Sequence, residues 1–226
     1  MADFSLEKTT QGPGAPLEHL CSSSHGLHAV SDGMLFHYQG KRWHPVPVRS
    51  PFPLGQLSAG TDALYSLVGR NTVFEINPDG DYRLHTLNTP KATSMAAVDG
   101  MLFYASADGA LLTYSGDNPR EGHTEFSAGH TVSVGDGLAL VDGAAYDLTD
   151  GLRHITLLEE PVQRAVLLPR YIVGIQDDQE TVIAFDRRGA MQAMMQIDEG
   201  AFGIISFGAG VKVICGDNAI REYHVR

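Results

Sequence analysis

Apolar residues fall along this chain in short runs, roughly four to eight long, that alternate with polar residues or stay apolar throughout. A Gly, an Asp-Gly pair or a Pro interrupts them roughly every ten residues, so no apolar stripe of helical period lasts three turns. The clearest stretch runs Thr93–Val98, turn at Asp99-Gly100, Met101–Ser106, turn near Asp108-Gly109, then Ala110–Ser115. A longer turn from Gly116 to Pro119 leads into a fourth run, Arg120–Ser127. Asp-Gly ahead of an apolar run predicts a tight hairpin, because both central residues of a type I′ turn need positive φ. Four short antiparallel strands are therefore predicted.

The same unit recurs six times. Its second run begins at Leu27, Ala63, Met101, Leu138, Tyr171 and Val211, at intervals of 36, 38, 37, 33 and 40 residues. Turns before that run fall at His25-Gly26, Thr61-Asp62, Asp99-Gly100, Asp136-Gly137, Pro169-Arg170 and Ala209-Gly210. Turns after it fall at Asp32-Gly33, Gly69-Arg70, Asp108-Gly109, Asp142-Gly143, Asp177-Asp178 and Gly216-Asp217. A period of this size marks a repeat architecture. The best helical candidate, Arg188–Ile197 with Met191, Met194 and Met195, stands where other copies place their fourth strand. A strand is predicted there, with the methionines packed between neighbouring units.

The sixth copy stops at its third run, Ala219–Val225, while Asp3–Lys8 alternates like a strand ahead of the first full copy. An array whose first strand completes its last unit is a closed ring. Through this turn register, over essentially its whole length, the chain resembles β-propellers as a class. The resemblance implies an all-β, six-bladed β-propeller of four-stranded antiparallel blades, the last completed by the N-terminal strand. No subfamily carries over. Gly129-His130 opens one blade, but no Trp-Asp pair closes any, as WD repeats require, and the paired glycines of kelch repeats and the sialidase box are missing.

With 226 residues, 43% of them hydrophobic, one ring accounts for nearly all of the chain. It is expected to form a single domain over 1–226: a closing strand at 1–10, a Pro/Gly-rich connector at 11–17 and blades over 18–226. The net charge of −11 disfavours a nucleic-acid surface or anionic lipid, so neither nucleic acid nor membrane is expected as a partner. No basic–apolar–small pattern opens the chain, which leads to the expectation of a cytoplasmic protein or one assembled into a particle. Cys21 and Cys215 are too few for a disulfide framework and are expected as buried, reduced thiols.

Chemistry-bearing motifs are missing. There is no Gly-x-Ser-x-Gly, His-Glu-x-x-His or P-loop, so no catalytic residue and no cofactor is assigned. His25 and His28 straddle a turn, and His37, His44, His85, His123, His154 and His224 are spread over several blades, so no zinc set assembles. Asp32, Asp108, Asp142, Asp177, Asp178 and Asp217 would make one face acidic, yet nearly all lie in hairpin turns, where backbone behaviour explains Asp. No metal site is assigned.

What remains is a set of loop residues for a protein partner. Phe52 and Leu54, interleaved with Pro51 and Pro53, form a stiff apolar connection, and Glu159, Glu160, Asp177, Asp178, Asp198 and Glu199 share its face. The expected function is a non-enzymatic interaction or scaffold module that contacts a protein partner or assembly subunits, as part of a larger structure such as a virion particle. A metal-dependent hydrolase or lyase at an acidic channel mouth is the alternative. A carbohydrate-binding propeller comes third, because Trp43, Phe74, Tyr104, Tyr146 and Phe185 lie where core packing explains them.

Overall fold

The computed structural model of the chain describes residues 3–115 and 123–226. It is an all-β ring. Strand β1 (Phe4–Gln11) comes first and belongs to the last blade. The first blade is β2 (Leu17–Ser23), β3 (Gly26–Ser31), β4 (Met34–Gln39) and β5 (Arg42–Pro45). The second is β6 (Leu57–Ala59), β7 (Leu64–Val68), β8 (Thr72–Ile76) and β9 (Tyr82–Thr86). The third is β10 (Ala92–Val98), β11 (Met101–Ser106), β12 (Leu111–Ser115) and β13 (His123–Phe126). The turn expected from Gly116 to Pro119 and the start of the run expected from Arg120 lie outside the described residues. The fourth blade is β14 (Val132–Gly135), β15 (Leu138–Val141), β16 (Ala144–Asp147) and β17 (Arg153–Leu157). The fifth is β18 (Arg164–Leu167), β19 (Tyr171–Ile175), β20 (Thr181–Asp186) and β21 (Met191–Gln196). The sixth is β22 (Ala201–Phe207), β23 (Gly210–Cys215), β24 (Ala219–Val225) and, on its outer edge, β1.

The turns follow their chemistry. Both central residues are left-handed at Asp32-Gly33 (φ 51° and 67°), Asp99-Gly100 (48° and 79°) and Asp142-Gly143 (50° and 82°). Asp tolerates that region better than most side chains, and Gly enters it freely.

Each sheet is covered on both faces by its neighbours. The buried apolar residues form six clusters, one at each seam between adjacent blades. Double coverage is why strands such as Leu138–Val141 and Gly210–Cys215 are buried throughout instead of alternating. Cys21 lies in the cluster shared with the second blade and Cys215 in the one shared with the fifth. Although their blades adjoin, the two buried, free thiols belong to different seams.

Closure is antiparallel, from Phe4 opposite Val225 to Gln11 opposite Ala219, with a bulge between Leu6 and Lys8. Beyond it, Asp3 and Arg226 exchange backbone hydrogen bonds of 3.0 and 3.1 Å. Where β1 ends, Trp43 Nε1 of the first blade donates to the Gln11 carbonyl at 2.8 Å, and the Leu17 amide donates to Asn218 Oδ1 at 2.8 Å. Leu6 is 55% exposed, so Phe4 is the side chain that packs, edge-to-face with Tyr223 at 6.5 Å. Pairing of the edge, more than burial of apolar side chains, is what β1 adds.

The predicted strand over 191–196 is present, but the methionine expectation is corrected. Met191 and Met194 are exposed, and Met195 alone packs against the seam cluster. Side chains stand off the sheet faces, and on the outermost strands those faces are only partly covered, as the mixed burial of Arg153–Leu157 and Met191–Gln196 shows.

Candidate functional site

The innermost strands β2, β6, β10, β14, β18 and β22 surround an axial channel of about 750 Å³. An innermost strand has a bare edge, and its peptide groups need partners. Side chains from the preceding blade supply several of them. Gln56 bonds both the amide and the carbonyl of Met95, at 3.0 and 3.1 Å. Ser58 Oγ accepts from the Ala97 amide and Ser94 Oγ from the Val134 amide, each at 2.8 Å. Arg164 donates to the Phe202 carbonyl. Polar side chains on or beside the innermost strands thus join successive blades.

Arg164 stays open to solvent in the channel, yet the surrounding wall lowers its pKa from the ordinary guanidinium value. His19, on the lining of the same channel, is lowered to about 4 by burial first and by the Arg164 charge second. At neutral pH it is an uncharged imidazole.

At one end of the ring, each connection between blades packs on the turn joining the middle strands of the blade before it. Leu54 N donates to Gly33 O at 2.9 Å, Gly129 N to Asp108 O at 2.9 Å, and Leu158 N to Gly143 O at 3.2 Å. Gly33 is a required glycine, since a Cβ there would lie 2.6 Å from Pro53 Cβ. The Phe52 amide donates to Ser50 Oγ at 3.0 Å, and Phe52 itself is 54% exposed. Leu54, expected beside it at the tip, is buried at 4% and packs with Cys21, Val30 and Leu35. That is a correction: one side chain is presented and the next is its anchor.

The acidic residues of this end have separate tasks. Glu159 accepts from the Met191 amide at 2.9 Å, while Glu160, Asp177 and Asp198 are exposed. Asp178 accepts from the Thr181 hydroxyl and from the amides of Glu180 and Thr181, and these bonds hold its carboxyl below the usual carboxylate range. Glu199 is likewise lowered, by backbone hydrogen bonding and by Arg221 at 2.9 Å. Asp217 also pairs with Arg221, at 2.6 Å. Among the described residues no group of three or more His, Cys, Asp and Glu side chains is placed to hold a metal ion.

The other end holds a group that linear spacing hid. His28 and His37 are direct cross-strand partners, their rings stacked with centroids 4.6 Å apart and an 11° interplanar angle. His37 Nε2 donates to the His25 carbonyl at 2.9 Å. Histidines expected to be dispersed are thus gathered in the first blade, because the hairpin register aligns positions nine residues apart.

No protein-family model matches the chain, and no curated protein matches its sequence. Solved structures of the same fold do. BamB from Moraxella catarrhalis is 10% identical over 98% of both chains, with a TM-score of 0.60. The WD40 β-propeller domain of Doa1 is 11% identical over 99% of this chain and 97% of its own, TM-score 0.60. A chain of the mitotic checkpoint complex is 10% identical over 97% of this chain and 94% of its own, TM-score 0.66. At such identities the likeness is one of fold.

Proposed function

We propose that the ring is a non-enzymatic interaction scaffold that seats a protein partner on the end carrying Phe52, as a structural part of a larger assembly such as a virion particle. The observation that carries this is the state of Phe52. A large aromatic side chain is 54% exposed between two prolines, on a loop anchored by buried Leu54 and by the contact of Pro53 with Gly33. An aromatic ring presented on a stiff loop loses little conformational entropy on binding, which is the character of an interface anchor. Exposed Glu160, Asp177 and Asp198 at the same end would steer a partner whose basic residues surround an apolar pocket. The mitotic checkpoint complex is a precedent for this fold within an assembly.

The test is affinity capture with the purified ring and two variants. Phe52→Ser is expected to abolish capture of the specific partner. Phe207→Ser, at the opposite end of the ring, is expected to leave it unchanged. The reverse outcome would move the interface to the other end, and equal capture by all three proteins would remove the proposal.

A further inference from the structure

Arg164 opens β18 on the wall of the axial channel, and it also lines a smaller cavity of about 240 Å³ that touches the first, fifth and sixth blades. Leu17, Ile175, Ala201 and the 44% exposed Phe202 form the apolar lining of that cavity. Glu18, Gln163, Gln179 and Arg164 form the polar lining. Arg164 is exposed, so a guest can reach it. Arg153 and Arg221 each meet two carboxylates, whereas Arg164 meets none among the described residues and bonds only the Phe202 carbonyl, through Nη1. That bond holds the guanidinium in place and leaves most of its N–H donors open. The nearest acids have other tasks: Glu18 accepts from the Gly33 amide at 3.2 Å, and Asp136 accepts from Ser206. Burial alone shifts the Arg164 pKa, downward, with no acid charge to offset it. A cation partly stripped of water and left without a counter-charge favours an anion beside it.

We propose that this cavity binds a carboxylate group, its oxygens on the open donors of Arg164 and its apolar body against Phe202 and Leu17. The planar guanidinium matches a carboxylate through two parallel hydrogen bonds. The side-chain amides of Gln163 and Gln179, unbonded among the described residues, are further donors on the lining. Charge restricts the guest. The channel lining carries Glu18, Asp32 and Asp136 against the one guanidinium of Arg164, so a single negative charge is admitted more readily than the higher charge of phosphate. Size restricts it too, since pockets for whole drug-sized ligands begin at roughly 300 Å³. The same chemistry is found in a small free carboxylic acid and in the C-terminus of a partner chain. The cavity uses no residue of the Phe52 loop, so the two proposals stand or fall separately.

The experiment titrates the intact chain at pH 7 with isobutyrate, with isobutyramide as its uncharged counterpart, and with inorganic phosphate, reading the Arg164 side-chain and His19 ring resonances by NMR. His19 is close enough to Arg164 to feel its charge and is neutral at that pH, so its ring reports the guest and not a proton. We expect isobutyrate to move both residues and to bind at least about tenfold more tightly than isobutyramide, the scale of a charge-assisted hydrogen bond. Phosphate should bind more weakly than isobutyrate. Arg164→Gln should erase the preference for isobutyrate over its amide, and Phe52→Ser should leave that preference intact. Binding of N-acetylvaline as well would support a chain terminus as the source, and its exclusion while isobutyrate binds would support a free acid. Equal affinity for isobutyrate and isobutyramide in the parent protein would overturn the proposal, as would tighter binding of phosphate or unmoved Arg164 resonances. If Arg164→Gln does not fold, the comparison of the two probes on the parent decides alone.

Discussion

Asp136 of the fourth blade accepts hydrogen bonds from both the amide and the hydroxyl of Ser206 in the sixth, the amide bond measuring 3.1 Å. The Asp136 carbonyl meanwhile accepts from Leu167 N in the fifth blade at 3.2 Å. One turn residue therefore ties three consecutive blades together beside the channel.

Asp136→Ala should loosen that tie without unfolding the ring. Its side-chain bonds lie at the surface, so the expected loss is about 1 kcal/mol by chemical denaturation. Amide exchange at Ser206 should accelerate while Leu167, held by backbone, stays protected. Unchanged exchange at Ser206 would show that the contact contributes nothing in solution.

Removing residues 1–11 should strip the outer edge from β24. The stability loss comes from pairing, at roughly 1 kcal/mol for each backbone hydrogen bond left without a partner. The bare edge invites a second chain, so concentration-dependent association is expected in sedimentation. A truncated chain that melts like the parent and stays monomeric would contradict the closure.

Phe52 and Leu54 should behave oppositely although only one residue separates them. Phe52→Ser is expected to change stability by less than about 0.5 kcal/mol, as for an exposed position. Leu54→Ala removes a side chain that is 4% exposed and should cost about 2–5 kcal/mol. Equal effects in urea denaturation would mean that the loop is not presented as described.

Acid should weaken the ring in a defined window. His19 and His28 titrate near 4 in the folded chain against 6.5 unfolded. Between those values the unfolded chain binds more protons, so stability is full above about 6.5, declines as pH falls toward 4 and levels off below. His28 carries part of that decline. His28→Phe should flatten the slope by that share, whereas an unaltered slope would show that His28 is protonated in the native ring.

Both thiols should resist modification. Burial raises the pKa of Cys21, with the Asp136 charge adding to it, and burial also raises that of Cys215. A thiol that stays protonated and covered is a poor nucleophile. Ellman's reagent should find no reactive thiol in the native protein and two after unfolding. Rapid native labelling of either would show that its seam opens.

The blade pattern was legible because its signals are local. Asp-Gly turns such as Asp99-Gly100 and Asp142-Gly143 announce hairpins from two adjacent residues, and the orphan run Asp3–Lys8 announced the closure. What escaped depends on residues meeting across strands or blades. The bond of Gln56 to Met95 spans 39 residues, and that of Asp136 to Ser206 spans 70. The His28–His37 stack follows from cross-strand register, and the burial of Leu54 from the seat that Gly33 offers Pro53. Apolar residues near prolines read alike whether they turn outward, as Phe52 does, or inward, as Leu54 does.

The reciprocal bonds between Asp3 and Arg226 put the start and finish of the described chain side by side on the outer edge of one sheet. The connection that matters for topology is then the short stretch over 12–16, which carries the polypeptide from that edge to the innermost strand of the next blade. Cutting there and joining the old termini through a brief linker would make every blade contiguous in sequence, so a circular permutant of this design should fold. For the same reason, cargo fused to either terminus of the ring would leave it from a single point on its circumference.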